Sequence, residues 1–154
     1  MLASAVSVIQ ESPYVRTKDK VRSGVHVIRE LSRKSLPEEV ELADVGTATF
    51  ELTRLMDGKD KVIIVDAILT DEAPGTIYRL TPDDLKSRRK RLAASLHQFG
   101  VLEALQCHAA TSGRPEVVIL AVVPKDYRTL STDLTPELAE RIHNVVEAVL
   151  KEIK

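Results

Sequence analysis

A run of six residues decides the fold: Val62-Ile63-Ile64-Val65-Asp66-Ala67. Four consecutive β-branched apolar residues, preceded by the polar segment 58–61, are typical of a strand that is buried on both faces of a parallel sheet. The run ends in a carboxylate, and open α/β sheets bind ligands just beyond the carboxyl ends of such strands. Asp66 is therefore a candidate functional residue. The alternative interpretation is structural, because an Asp in this position also caps turns and accepts hydrogen bonds from backbone amides.

Strand-like and helix-like segments alternate on both sides of this run. The predicted strands are Ala5–Ile9, Val40–Val45, Lys61–Ile68, Gly75–Leu80 and Glu116–Val123. The predicted helices are Val21–Lys34, Thr47–Met56, Leu96–Thr111 and Leu134–Lys154. Such alternation predicts a three-layer α/β/α domain, in which helices cover both faces of a mostly parallel sheet. We expect Lys61–Ile68 to be the central strand and Gly75–Leu80 to lie at an edge.

Composition indicates one ordinary soluble domain spanning residues 1–154. The chain has a formal net charge of −1 and 44% hydrophobic residues, a balance that calls for neither nucleic acid nor an anionic membrane surface. Its apolar runs are shorter than the roughly 18 residues that span a bilayer, and the N-terminus lacks a signal-peptide pattern. The single cysteine, Cys107, excludes an internal disulfide, and its neighbour His108 would face another side of the same helix. A cytoplasmic protein is expected.

Candidate polar groups follow the second and third strands and begin a later helix. The second strand runs into Asp44-Val45-Gly46-Thr47, the third ends at Asp66, and His97 lies at the start of the helix after the fourth strand. Taken singly, an Asp/Gly/Thr turn is ordinary helix-capping chemistry, and a lone His is more often structural than catalytic. We expect the three groups to converge at adjacent strand ends, where Asp and His together can coordinate a borderline divalent metal.

These segments resemble the successive motifs of the hydrogenase maturation proteases, in order and spacing, from Gly24 to the C-terminus. The matching segments are Asp44–Thr47, Val62–Ala67, Pro74–Arg79, Ser95–Gln98 and Pro115–Ile119, followed by the final amphipathic helix. The resemblance implies a cytoplasmic endopeptidase that trims a C-terminal extension from the large-subunit precursor of a nickel–iron hydrogenase. It also implies a twisted five-stranded sheet between helices.

The resemblance assigns roles to five residues. It implies that the protease recognises nickel already carried by the precursor, and that Asp66 and His97 are protein ligands of that nickel. Asp44 would be the catalytic acid near the scissile bond, and Gly46 and Thr47 would shape the substrate-binding turn. Carboxylate and imidazole do not select nickel strongly over other divalent metals, which can occupy the same site. The implied partner is the nickel-loaded precursor, with neither nucleic acid nor a membrane.

Residues 1–23 depart from the family. Members open with Gly-x-Gly-Asn, an acidic pair and Gly-x-Gly, whereas this chain rejoins the pattern only at Gly24. Counted back from Gly24 without gaps, the metal-binding acid of the family falls on Val21, which cannot ligate a metal. Glu11 and Asp19 are the nearest acids, and neither has the sequence context of the family. We therefore expect weak nickel binding and poor cleavage.

Two explanations of this departure stay open. The chain is either a divergent, inactive member of the family, or the product of a reading frame that is shifted upstream of Gly24. The second explanation predicts a poorly packed first strand and a disordered loop through Lys20. An alternative function follows from the missing acid: a non-catalytic module that uses the same cleft to recognise a metallated partner.

Overall fold

The computed structural model describes residues 6–11, 23–46, 49–68, 70–87, 96–111, 113–123 and 136–154. The strands are β1 (Val6–Glu11), β2 (Val40–Gly46), β3 (Lys61–Ala67), β4 (Ile77–Leu80) and β5 (Glu116–Val122). The helices are α1 (Ser23–Ser32), α2 (Thr49–Met56), α3 (Pro82–Ser87), α4 (Leu96–Thr111) and α5 (Pro136–Ile153). Several predicted termini, at residues 5, 21–22, 47–48 and 134–135, and the loop through Lys20 lie outside the described residues.

The sheet has the strand order β2-β1-β3-β5-β4. Strand β1 pairs in parallel with both β2 and β3, and β3 pairs in parallel with β5. Strand β4 is antiparallel to β5 at the edge. The prediction of a mostly parallel sheet with β3 at its centre and β4 at an edge is thereby confirmed.

The expectation that the ends of β2 and β3 are adjacent is wrong, because β1 lies between them. The first crossover leads from β1 to β2 on one side, and the second returns past β1 to β3 on the other side. This reversal of strand order is the topological switch point of a doubly wound sheet. Strand β1 is paired on both sides, at five positions with β3 and six with β2.

Strand β3 divides the core into two apolar layers. Val62 and Ile64 pack with α2 and α4 on what we call the α2–α4 face, and Ile63 and Val65 pack with α1 and α5 on the α1–α5 face. The exposed fraction of these four side chains is at most 3%. Burial of one Val or Ile side chain contributes about 1.5–3 kcal/mol, so β3 is a principal source of stability. The predicted three-layer architecture with a doubly covered central strand is confirmed.

Helix boundaries follow local signals, with one helix that the sequence analysis missed. Helix α3 begins with a capping box, in which the Thr81 amide donates to Asp84 Oδ2 at 2.8 Å and the Asp84 amide donates to Thr81 Oγ1 at 3.2 Å. Pro82 occupies the first helical position, where its fixed φ is favourable. The signal was present in the sequence, but the six-residue helix is too short to show an apolar period.

A candidate active site at the carboxyl edge of the sheet

Asp66 lies on the α2–α4 face at the carboxyl end of the central strand. It pairs in register with Ala121 of β5, and strand alternation places it on the same face as Ile64 and Ile68, which belong to that core layer. Only 5% of its surface is exposed, and it interacts with other groups of the fold. A buried carboxylate requires such interactions, because loss of hydration without compensation costs several kcal/mol.

Asp44 lies at the same edge of the sheet, as the sequence analysis predicted. Its backbone pairs with Gln10 of β1, and Gln10 pairs on its other side with Val65 of β3. Asp44 and Val65 are thus two strand spacings apart, about 9.6 Å. The register shifts at the next pair, so that Gly46 lies opposite Glu11. Thr47 lies outside the described residues.

His97 is the second residue of α4, and the far end of this helix is fixed at the opposite edge of the sheet. Near that end His108 Nε2 lies 3.0 Å from Oδ1 of Asp57, shortly before β3 begins at Lys61. His97 is eleven residues earlier, about 16 Å along the helix, toward the carboxyl edge. The backbone of His97 therefore lies toward the carboxyl edge of the sheet, the edge at which Asp66 is found. The approach of its imidazole to Asp66 stays a prediction.

Ile68 and the segment 70–76 lie at this edge of the sheet, beside the end of β5, which the sequence analysis did not anticipate. The Ile68 amide donates to the Val122 carbonyl at 2.9 Å, and the Gly75 amide donates to the Val123 carbonyl at 2.8 Å. Both acceptors lie at the carboxyl end of β5, so Ile68 and Gly75 are held beside the end of that strand.

A tight turn, Ala73–Thr76, leads from this segment into β4. The Thr76 amide donates to the Ala73 carbonyl at 3.1 Å, Pro74 is the second residue of the turn, and Gly75 has a φ of +90°. Pro followed by a residue with positive φ is the signature of a type II turn, which favours glycine. A Cβ on Gly75 would lie 3.2 Å from Cγ of Arg141, so the last helix packs closely over this turn.

The structure does not bring Cys107 and His108 together as a nucleophile and base. Cys107 is exposed, whereas His108 is 3% exposed and bound to Asp57, so the predicted separation of this pair is confirmed. Among the side chains that the structure describes, no group of three His, Cys, Asp or Glu could hold a metal ion. The side chains of Asp44 and His97 are not among the described ones.

No helix among the described residues is long and apolar enough to cross a membrane.

Comparison with known proteins identifies the family. The sequence profile of the hydrogenase maturation proteases matches residues 25–152. The hydrogenase 2 maturation protease of Escherichia coli (strain K12) is 31% identical over 134 residues, which cover 85% of this chain and 80% of that protein. Protein FrxA of Pyrococcus furiosus is 30% identical over 134 residues, covering 85% of this chain and 93% of the relative.

The solved structures agree with the sequence comparison. The hydrogenase maturating endopeptidase HybD from Escherichia coli superposes with a TM-score of 0.76 at 28% identity, over 96% of this chain and 91% of that chain. The profile match begins one residue after Gly24, where the sequence motifs resume. The chain belongs to the hydrogenase maturation protease family.

Proposed function

We propose that this protein is an endopeptidase that removes the C-terminal extension from the large-subunit precursor of a nickel–iron hydrogenase after nickel insertion. Family membership supports the reaction. One observation supports the location of the site. The buried side chain of Asp66 lies at the carboxyl end of the central strand, next to the switch point of the sheet. Doubly wound sheets bind their ligands at that point.

Asp66 and His97 recognise the nickel that the precursor carries, by a carboxylate oxygen and an imidazole nitrogen. These donors suit nickel and bind other divalent metals too, so the precursor rather than the protease determines which metal is present. A metal at this position polarises the scissile carbonyl or lowers the pKa of a bound water. Recognition of a metal in the substrate also explains how the protease acts only after nickel insertion.

Asp44 serves as the acid at the scissile bond, which makes the enzyme an aspartic-type endopeptidase. The backbone register supports this role, because Asp44 and Asp66 belong to strands that end at one edge of the sheet. Gly46 and Thr47, which follow Asp44 closely in the sequence, bind the extension of the precursor. The reaction takes place in the cytoplasm, where the precursor is loaded with nickel.

The test compares cleavage of nickel-loaded and nickel-free precursor by the unmodified protein. We expect the loaded precursor to lose its extension, slowly because Val21 stands where the family has its metal-binding acid, and the nickel-free precursor to remain intact. Asp66→Asn and His97→Ala should abolish cleavage, whereas Glu103→Gln, on the exposed surface of α4, should cleave normally. Binding of the loaded precursor without any cleavage would replace this proposal with the non-catalytic recognition module.

A further inference from the structure

Arg141 lies at the carboxyl edge of the sheet, although no sequence motif pointed to it. It belongs to the second turn of α5. A Cβ built on Gly75 would lie 3.2 Å from Cγ of Arg141, 3.4 Å from Cδ and 3.4 Å from Nε. The Gly75 amide donates to the carbonyl of Val123, the residue that follows β5. The stem of Arg141 is therefore packed on the turn at Gly75, and its guanidinium group is held near the carboxyl end of β5.

The charge of Arg141 is partly buried and has no counter-charge in the described part of the chain. Its side chain forms no hydrogen bond or ion pair with the described residues. The other arginines whose side chains the structure describes are all exposed, and Arg33, Arg54 and Arg79 among them also bind a glutamate. Partial burial removes hydration from a cation, and only a partner compensates for that loss. Arg141 is thus suited to an anionic group from another molecule.

The acids close to Arg141 in this region do not fill that role. Asp71 and Glu72 of the segment 70–76, and Glu140 next to Arg141 on α5, are all exposed. None of these carboxylates forms an ion pair with Arg141 in the described structure. The counter-charge is therefore expected from a partner that binds at this edge.

Arg141 is within reach of a peptide that lies in the proposed site. Asp66 pairs in register with Ala121, and Gly75 is bonded to Val123, two residues further along β5. The path from Asp66 to Gly75 crosses two strand spacings, about 9.6 Å, and advances by about 6.6 Å, so the two backbones lie roughly 12 Å apart. An extended segment of about four residues spans that distance. Because Asp66 and α5 belong to opposite faces, such a segment passes over the ends of the strands.

We propose that Arg141 binds a carboxylate group of the precursor and so determines which precursors dock for cleavage. The proposal rests on the proposed function and adds a specificity-determining residue to it. The planar guanidinium group donates parallel hydrogen bonds to both oxygens of a carboxylate, which makes arginine well suited to this contact. The carboxylate belongs either to an Asp or Glu side chain of the precursor or to the C-terminus of its extension.

The experiment measures binding and cleavage of the nickel-loaded precursor by the full-length protein. Arg141→Met keeps an apolar stem over Gly75 and removes the charge. We expect the dissociation constant and KM to rise about tenfold with kcat unchanged, because the lost contact contributes equally to the bound substrate and the transition state. The effect should shrink as salt is added. Arg114→Met is the matched control, because Arg114 is exposed and lies just ahead of β5, at the amino edge. Its KM should not change.

Thermal unfolding accompanies each assay, so that a loss of folding is recognised as such. A dissociation constant and KM of Arg141→Met equal to those of the unmodified protein would overturn the proposal. If Arg141→Met lowers the midpoint, then Arg141→Lys decides, because it keeps the charge without the planar fork. Affinity of Arg141→Lys above that of Arg141→Met supports the contact, and equal affinity of the two variants refutes it.

A precursor with a short Gly-Ser tail beyond its natural C-terminus identifies the source of the carboxylate. Weaker binding of the tailed precursor, with no further loss in Arg141→Met, assigns the contact to the terminal carboxylate. Unchanged binding of the tailed precursor, still weakened by Arg141→Met, assigns it to an Asp or Glu side chain.

Failure of this inference is distinguishable from failure of the proposed function. An unmodified protein that cleaves the loaded precursor, together with a normal KM of Arg141→Met, keeps the function and refutes the role of Arg141. An unmodified protein that binds the precursor through Arg141 without cleaving it refutes the function and keeps the inference. An unmodified protein that binds no precursor refutes both.

Discussion

Arg79 of the edge strand and Glu152 of the last helix are joined by two hydrogen bonds. Nε of Arg79 donates to Oε1 of Glu152 at 2.5 Å, and Nη2 donates to Oε2 at 3.2 Å. Lys61, the first residue of β3, donates to the same Oε2 at 3.2 Å and lies 3.3 Å from a carboxylate oxygen of Glu116 on β5. The carboxylate of Glu152 thus contacts β3 and β4 directly, and Lys61 extends the network to Glu116 on β5. Arg79 belongs to the motif Pro74–Arg79, and its contacts give that position a structural role.

Glu152→Gln should destabilise the protein by about 1 kcal/mol. The side chain of Glu152 is only 15% exposed, so its charge-assisted bonds stabilise more than a surface pair would, while the half-exposed Arg79 limits the gain through solvent screening. Urea unfolding measures the change. Glu51→Gln is the matched control, because the Glu51–Arg54 pair is exposed on both sides and should contribute almost nothing. Equal losses in the two variants would contradict a special role of Glu152.

The contribution of Glu152 should depend on pH. The hydrogen bond from Arg79, with a further bond from Lys61, lowers the pKa of Glu152 in the folded protein, against the opposing effect of burial. The unfolded chain therefore binds a proton at higher pH than the folded protein does, and stability rises with pH in that window. The stabilisation is complete above the unfolded pKa of about 4.3 and is lost as the pH falls through the lower, folded pKa.

The measurement is urea unfolding of the unmodified protein and Glu152→Gln between pH 6 and pH 3. The difference in the free energy of unfolding should be largest at pH 6 and should shrink below about pH 4.3. A difference that stays constant over the whole range would show that the carboxylate charge of Glu152 is not the source of the effect.

Gly75→Ala should destabilise the protein more than Gly58→Ala. Both glycines have positive φ, +90° and +68°, which costs an alanine about 1–2 kcal/mol. A Cβ at position 58 meets nothing within 4 Å, whereas at position 75 it lies 3.2 Å from Cγ of Arg141. The excess cost of Gly75→Ala should therefore shrink in an Arg141→Ala background, as measured by thermal unfolding. An excess that is independent of Arg141 would assign it to backbone strain alone.

Asp57→Ala should cost about 1–2 kcal/mol, because it removes a hydrogen-bond partner from the buried imidazole of His108. The imidazole Nε2 lies 3.0 Å from Oδ1 of Asp57, and His108 is 3% exposed. Asp57→Asn keeps hydrogen-bonding capacity at the same position and should lose less. Chemical unfolding compares the two variants. If both unfold like the unmodified protein, this contact does not hold the end of α4 at the amino edge of the sheet.

The sequence predicted the layers of the fold well because they depend on local apolar patterns. The run Val62–Ala67 predicted a strand buried on both faces, as the structure confirms. In α5 the apolar period predicted one buried face, of which Ile142, Val145 and Val149 are buried and Ile153 is partly buried, while the side chain of Leu138 lies outside the described ones. In α1 the apolar period predicted that Val25, Ile28 and Leu31 share the buried face. Leu31 is buried, but Ile28 is only half-buried and Val27 is buried instead. A ten-residue helix contains too few turns to fix that face from sequence alone.

The order of the strands could not be predicted, because it depends on the direction of each crossover and not on local propensity. This limited the site as well. Asp44 and Asp66 were expected at the ends of neighbouring strands, but β1 separates them and brings Glu11 between them. The sequence context of Glu11 gave no sign of this, since proximity at a switch point is a property of the completed sheet.

Asp44→Asn should lower the rate of precursor cleavage by about 10²–10⁴-fold with little change in stability. The substitution keeps the size of the side chain and removes its charge and its ability to exchange a proton, which is what an acid at the scissile bond requires. Glu41→Gln is the matched control on the same strand, because Glu41 is exposed and pairs with Lys59 at 2.7 Å, away from the carboxyl edge. Cleavage is followed by the mass of the nickel-loaded precursor, and folding by the midpoint of thermal unfolding. Normal cleavage by Asp44→Asn would make Asp44 a turn residue and would require the acid to come from another strand end.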